Sequence, residues 1–236
     1  MSTLTPHAAQ PQWMAHLVAQ LDQRDQGFFS QFLPPDEGGR QSAVLILFGP
    51  NPEGGENVVL TQRSHGMRSH AGQVSFPGGA LEPVDSGPVS AALREAKEEV
   101  GLDAAGVQVV AELPPMYLPP SNFVVTPVLA WWARPSPISV VDHREVARVL
   151  LAPLAGLTDP ARRFTVSHPS GFVGPAFEVD GLMVWGFTAG LLSKVIELAG
   201  LEQPWDGTER RRLPSPLSGG LDSSPRPPAE TQGGTP

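Results

Sequence analysis

The chain contains no cysteine, which excludes disulfides, thiolate metal sites and cysteine nucleophiles. Long apolar runs are missing too: nothing approaches the roughly 18 apolar residues of a membrane-crossing helix. The first ten residues, MSTLTPHAAQ, lack the charged and apolar regions of a signal peptide. A soluble cytoplasmic protein is the expectation. Positive charge is scarce, with 16 Lys and Arg against 24 Asp and Glu and a formal net charge of −8. That balance argues against nucleic-acid and membrane-surface partners. No G-x-S-x-G nucleophile elbow occurs, and no histidine spacing suggests zinc. Nothing in the chain indicates an oligomeric state.

What is present suits one sizeable domain. The chain has 236 residues, 40% of them apolar. Residues 1–9 read as a flexible N-terminus and 10–203 as the domain. Twelve of the last 33 residues are Pro or Gly, so 204–236 reads as a disordered tail that cannot bury enough surface to offset its ordering entropy. Trp13, Leu17 and Leu21 recur at spacings of four after Pro11, as on one face of a short helix. The run from Ser42 to Phe48 reads as a buried strand, and Val58 to Thr61 as its hairpin partner. Residues 106–113 and 123–132 read as further strands, with Pro127 placing the second at an edge or bulge. Residues 142–151 suggest a short helix capped by Asp142. Asp180-Gly181 between two apolar runs predicts a type I′ hairpin, and residues 187–199 a final helix.

The most informative stretch runs from Gly78 to Leu102. It opens on Pro77-Gly78-Gly79 and passes through a loop into a helix expected near Pro88 or Val89 and ending at Gly101. At about 100° per residue, Glu95, Glu98 and Glu99 fall within about a third of a turn, while Leu93, Ala96 and Val100 lie on another face. In isolation, REAKEEVG suits a solvated charged face. The glycines before it change that reading, because they let backbone approach a ligand closely. Clustered carboxylates repel one another by a few tenths of a kcal/mol per pair, and a divalent cation reverses the sign. Oxygen donors suit Mg²⁺ or Mn²⁺.

At this point the chain resembles the Nudix hydrolase family. The family signature is G-x5-E-x7-R-E-U-x-E-E-x-G-U, with U apolar. Arg94-Glu95-Ala96-Lys97-Glu98-Glu99-Val100-Gly101-Leu102 matches its second half throughout. The first half departs. Asp85 stands where the signature has Glu, and the loop is one residue longer; Glu82 is its other carboxylate. Upstream, Val59-Leu60-Thr61-Gln62-Arg63-Ser64, then Arg68, Gly72 and Phe76-Pro77-Gly78-Gly79, is similar to the pattern of the coenzyme A pyrophosphatase branch, with Val for Leu at the first position.

The resemblance implies a Nudix-type α/β/α sandwich with a mixed β-sheet. It also implies Mg²⁺- or Mn²⁺-dependent hydrolysis of the pyrophosphate of coenzyme A or its derivatives. By the same resemblance Glu95 and Glu99 are expected as the principal metal ligands, Glu98 as an additional ligand or the base, Arg94 as part of the catalytic set, and Gly78 and Gly79 as substrate-binding. Arg63 and Arg68 offer planar, bidentate phosphate recognition to an anion that an otherwise acidic protein must receive; as bare residues they equally suit surface ion pairs. Because the base varies within the family, Glu112 and Glu178 are held as late contributors. Two alternatives stand beside this reading. One is a Nudix hydrolase of another nucleoside diphosphate derivative, such as ADP-ribose, NADH or a nucleotide sugar. The other is a non-catalytic binding module of the same fold.

Overall fold

The computed structural model describes residues 8–21, 23–30, 32–67, 70–168 and 171–213. Helix α1 (Gln12–Leu21) and the one-turn α2 (Gln26–Phe29) precede strands β1 (Arg40–Pro50), β2 (Glu56–Arg63), β3 (Val74–Ser75) and β4 (Gly78–Ala80). Helix α3 (Pro88–Val100) follows, then β5 (Val107–Glu112), β6 (Met116–Leu118), β7 (Phe123–Trp132) and β8 (Val146–Pro153). The chain continues through α4 (Leu154–Thr158), β9 (Arg163–Ser167), β10 (Val173–Val179), β11 (Leu182–Val184), α5 (Gly186–Leu198) and β12 (Arg210–Arg212).

The alternation of side chains along β1 explains the layering. Ala43, Leu45 and Leu47 point to one face, where they meet Ala91, Ala92, Ala96 and Val100 of α3. Ile46 and Phe48 point to the other, into a larger core with Met14 and Leu17 of α1, Leu192 and Val195 of α5 and Phe177 of β10. A strand buried on both faces needs a continuous apolar run, and Ser42 to Phe48 supplies it. Each fully buried Leu or Ile contributes about 1.5–3 kcal/mol over leaving it exposed. The result is a mixed sheet between helices, as the fold class requires. In it β1 runs parallel to β7 from Arg40↔Phe123 to Phe48↔Trp131. Leaving β1, β2 pairs on its outer edge with β8 and β3. A second sheet, ordered β11-β10-β9-β12, carries α5. Among the described residues no helix is long and apolar enough to cross a membrane.

Several expectations are met in detail. Gly101 ends α3 with φ 73°, and Asp180 and Gly181 both take positive φ (49° and 74°) in the β10–β11 turn. Other expectations fail, each for a visible reason. Residues 146–153 form strand β8, not a helix. Asp142 does cap, accepting the Arg144 N–H at 2.9 Å, but a single turn satisfies it, and Leu150 and Ala152 then alternate inward against β2. Pro127 lies inside the sheet. Its carbonyl accepts from Leu113 N–H, so its nitrogen faces the same side, at the seam where β6 pairing stops and β5 pairing begins. Proline gives up only the reciprocal bond of that one pair, to the Leu113 carbonyl, at a place where the regular ladder already breaks.

The tail boundary at 204 is also displaced. Residues 204–213 carry β12, parallel to β9, and Leu213 is buried. Trp205 lies over the guanidinium of Arg163, whose other face meets Phe177. Arg163 is fully buried and reaches Glu202 at 3.1 Å and Ser193 at 2.9 Å. Composition averages away one tryptophan and one leucine, yet those anchor the segment. Residues 214–236 lie outside the described residues, as do 1–7. Ala8, placed with the flexible start, is tied down: its N–H donates to Ala133 and its carbonyl accepts from Trp131 Nε1.

Candidate active site

The site forms where β2 parts from β1. Over Phe48 to Pro50 the two strands pair; lower down, β4 takes over the same edge of β1, with Val44 opposite Gly78 and Ala43 opposite Gly79. Both glycines are required there. A Cβ on Gly78 would strike the Ala43 carbonyl and stand 2.7 Å from Val44 Cα, which is backbone and cannot yield. A Cβ on Gly79 would occupy the place of the Glu95 carboxylate. The first glycine seats the strand, and the second leaves room for a charged side chain.

Arg94 is the hub of the helix face. Its Nε and Nη2 grip Asp85 (3.0–3.3 Å), Nη2 also donates to the Ala80 carbonyl at 3.0 Å, and Nη1 reaches Glu95 and Glu98, each at 3.0 Å. The lengthened loop therefore resolves in favour of Asp85. Arg94 holds its carboxyl below the usual carboxylate range, helped by the Glu82 backbone N–H at 2.9 Å. Glu82 contributes its backbone alone, the N–H to the Asp85 carboxylate and the carbonyl to the Asp85 N–H at 2.9 Å.

Glu99 has a different environment. It is 3% exposed, and its Oε2 accepts the Gly78 N–H at 3.2 Å. Burial pushes its carboxyl up to about 8, against the pull of Arg63 and the Gly78 amide, with Glu95 and Glu145 adding like charge. Burial also raises Glu95, despite its partner Arg94. Glu98 is the outermost, with 58% of its side chain exposed.

The structure brings together Arg63, Gly78, Gly79, Arg94, Glu95 and Glu99. Arg63 stands at the end of β2, and its Nε is buried with no hydrogen-bond partner among the described residues. One Nη of Arg63 contacts the Met67 sulfur at 3.0 Å. Arg68 lies outside the described residues. His65 packs against Gly72, and His70 binds Gln73 at 3.1 Å, so both serve the loop. Glu112 is an exposed residue of β5, and Glu178 pairs loosely with Arg211 at 3.7 Å in the second sheet. Neither contributes to the raised carboxyls of the helix. Glu145, which the sequence reading passed over, contributes to both.

The donor set fits a hard divalent cation. Glu95 and Glu99 are carboxylates whose burial opposes their charge, Glu99 Oε1 accepts no hydrogen bond among the described residues, and the Gly79 cradle keeps space at Glu95. Among the described residues no three acidic or imidazole groups form a ready-made cage, because Arg94 draws Glu95 and Glu98 toward itself.

In this sandwich a carboxylate helix is set against a glycine turn. Residues 39–166 match the model of the NUDIX domain, more than half of the chain, and the chain belongs to the Nudix family. Its members hydrolyse nucleoside diphosphate derivatives and generally use Mg²⁺ or Mn²⁺. The uncharacterized Nudix hydrolase NudL of Escherichia coli O7:K1 is 38% identical over 163 residues, covering 66% of this chain and 81% of that protein. NudL of Shigella boydii serotype 4 is 37% identical with the same coverage. Among solved structures, the chain is similar to RenU, a Nudix hydrolase from M. smegmatis, with a TM-score of 0.47 and 23% identity over 72% of this chain and 91% of that one.

Proposed function

We propose that the protein is a coenzyme A pyrophosphohydrolase of the cytoplasm, releasing 4′-phosphopantetheine and adenosine 3′,5′-bisphosphate. The observation that carries the reading is the placement of Arg63. Of the stretch that bears the coenzyme A-type pattern, Arg63 acts on Glu99 through its charge, while the Gly78 N–H bonds the same carboxylate. This supports a reading in which an anion-receiving cation and a metal-holding helix share one site.

In this reading Glu95 and Glu99 hold the divalent cation, with Glu98 able to join them. When bound, the cation polarises a phosphoryl oxygen and lowers the pKa of a coordinated water. Glu98 is the most solvent-accessible of the three and accepts the water's proton. Arg94, fixed by Asp85 and Ala80, keeps Glu95 and Glu98 at their stations. Arg63 and Arg68 meet the phosphates, and Gly78 and Gly79 let the backbone approach them.

The test is turnover of coenzyme A, dephospho-coenzyme A, NADH and ADP-ribose in parallel with Mg²⁺ or Mn²⁺, with product identification. Coenzyme A should be cleaved fastest, to the two products named. Faster hydrolysis of ADP-ribose would replace this substrate by another nucleoside diphosphate derivative. Unchanged turnover in Glu95→Gln and Glu99→Gln would remove the metal assignment.

A further inference from the structure

Arg63 is fixed by its backbone and left open at its side chain. Its N–H donates to the Gln73 carbonyl at 2.9 Å, its carbonyl accepts the Gly72 N–H at 3.2 Å, and Val146 stands opposite it where β2 pairs with β8. The guanidinium is not matched in the same way. Its Nε is buried with no hydrogen-bond partner among the described residues, and Nη2 donates to the Met67 sulfur at 3.0 Å. A thioether is a weak acceptor. The cation on the phosphate-receiving side of the site therefore rests against sulfur, which holds it lightly and releases it to a better acceptor.

A short turn brings Met67 to that place. After β2 ends at Arg63, the Ser64 carbonyl accepts the Met67 N–H at 3.2 Å, and the Ser64 hydroxyl accepts the Gly66 N–H at 3.4 Å. His65 and Gly66 are exposed, and Met67 is partly so. The chain has five methionines. Met14 and Met116 are core residues, 0% and 3% exposed, and Met183 packs against the cluster on the second sheet. A methionine on a surface turn ordinarily does no more than fill space. Among the described residues, Met67 is the one whose sulfur accepts from a cation, and its exposed turn leaves that sulfur within reach of solvent.

From this contact we propose that Met67 is an oxidation site that controls Arg63: a peroxide converts its thioether to a sulfoxide, and the sulfoxide oxygen takes up the guanidinium and withholds it from the phosphates of the substrate. The inference rests on Arg63 as the phosphate-receiving cation, but not on which nucleoside diphosphate derivative is cleaved. With hydrogen peroxide, a sulfur lone pair attacks one oxygen. An S–O bond forms as the O–O bond breaks, sulfur gives up two electrons, and the proton of the transferred oxygen joins the departing hydroxide as water. The product oxygen is a far stronger acceptor than sulfur, and the flexible methionine chain lets it turn onto the Arg63 donors. The change is reversible, because methionine sulfoxide is returned to the thioether by sulfoxide reductases.

The experiment treats the full-length protein with hydrogen peroxide, removes the peroxide and maps oxidation by peptide mass. Steady-state turnover is then measured on coenzyme A, or on the nucleoside diphosphate derivative cleaved in its place. Met67 should gain one oxygen before Met14 and Met116 do. KM should rise about tenfold, since a hydrogen bond to a charged group is at stake, and kcat should change less. Methionine sulfoxide reductase should restore the KM. In Met67→Leu the ratio of treated to untreated KM should stay near one, whereas Met183→Leu should respond as wild type does. Met67→Gln, which carries a carbonyl oxygen on a chain of similar length, should show the raised KM without peroxide. An unchanged KM with Met67 fully oxidised would overturn the proposal, and so would an undiminished response in Met67→Leu. Arg63→Ala separates this inference from the reading beneath it. An unchanged KM in that variant would sink the phosphate role of Arg63, whereas a raised KM there beside an unresponsive oxidised wild type would sink the Met67 inference alone.

Discussion

The sharpest consequence of the site concerns Glu99 in the metal-free protein. In the unfolded chain its carboxyl titrates near 4.5, and in the folded protein burial pushes it up to about 8. Below pH 4.5 it is protonated in both states and carries no penalty. Between 4.5 and 8 the unfolded chain releases the proton and the folded one retains it, so stability falls as pH rises. Above 8 the penalty is complete. At about 1.36 kcal/mol per pH unit the ceiling is about 5 kcal/mol. Local relaxation reduces this, and an effect on the order of 3 kcal/mol is expected. Glu99→Gln removes the charge and keeps an acceptor for the Gly78 N–H. Urea unfolding in the presence of a chelator should give equal stabilities near pH 4.5 and a more stable variant at pH 9. Added Mn²⁺ should reverse the order at pH 9, because wild type gains binding free energy that the variant has largely lost. A stability difference that stays flat between pH 5 and 9 would refute the assignment of Glu99 as a buried, uncompensated carboxylate.

Other outcomes follow from the same geometry. Glu95→Gln should lower turnover at least about a hundredfold with little change in fold, measured by steady-state kinetics and circular dichroism. Gly78→Ala should destabilise by about 1–3 kcal/mol in denaturant melts, because its Cβ meets backbone. Gly79→Ala should spare more of the stability but weaken Mn²⁺ binding, because its Cβ displaces the Glu95 carboxylate. Arg94→Lys keeps the charge but loses the fork that spans Asp85, Ala80, Glu95 and Glu98, and turnover should fall at least about tenfold. Arg163→Ala should cost about 3–5 kcal/mol by thermal melt, since it removes the buried partner of Glu202 and the surface beneath Trp205.

The local chemistry of the chain was enough to reveal the carboxylate helix, its stop at Gly101, the strands at 42–48 and 123–132 and the Asp180-Gly181 hairpin. In each, neighbouring residues carry the instruction: a period of 3.6 or 2, a left-handed glycine, a pair of residues that tolerate positive φ. Where local and distant demands compete, local reading failed. Asp142 signals a helix start, but β2 offers residues 146–153 an edge to pair with, and the cap closes only one turn. Pro127 forbids a ladder bond, and only the break between β5 and β6 shows why the loss of that one bond is tolerated. Residues 204–213 are poor in apolar surface, yet a fully buried guanidinium waits for Trp205.

The helix that bears Glu95, Glu98 and Glu99 could be read as a cation site from residue type and spacing, because a helix places such neighbours without help from the rest of the chain. Their inequality could not. Folding buries Glu99 under Gly78 and beside Arg63, leaves Glu98 in solvent, and selects Asp85 over Glu82 as the anchor of Arg94. It also brings Glu145 from a turn remote in sequence to the same carboxylates. Burial and the field of sequence-distant charges are properties of packed volume, and they exist only once strands β1, β2, β4 and β8 have closed around the helix.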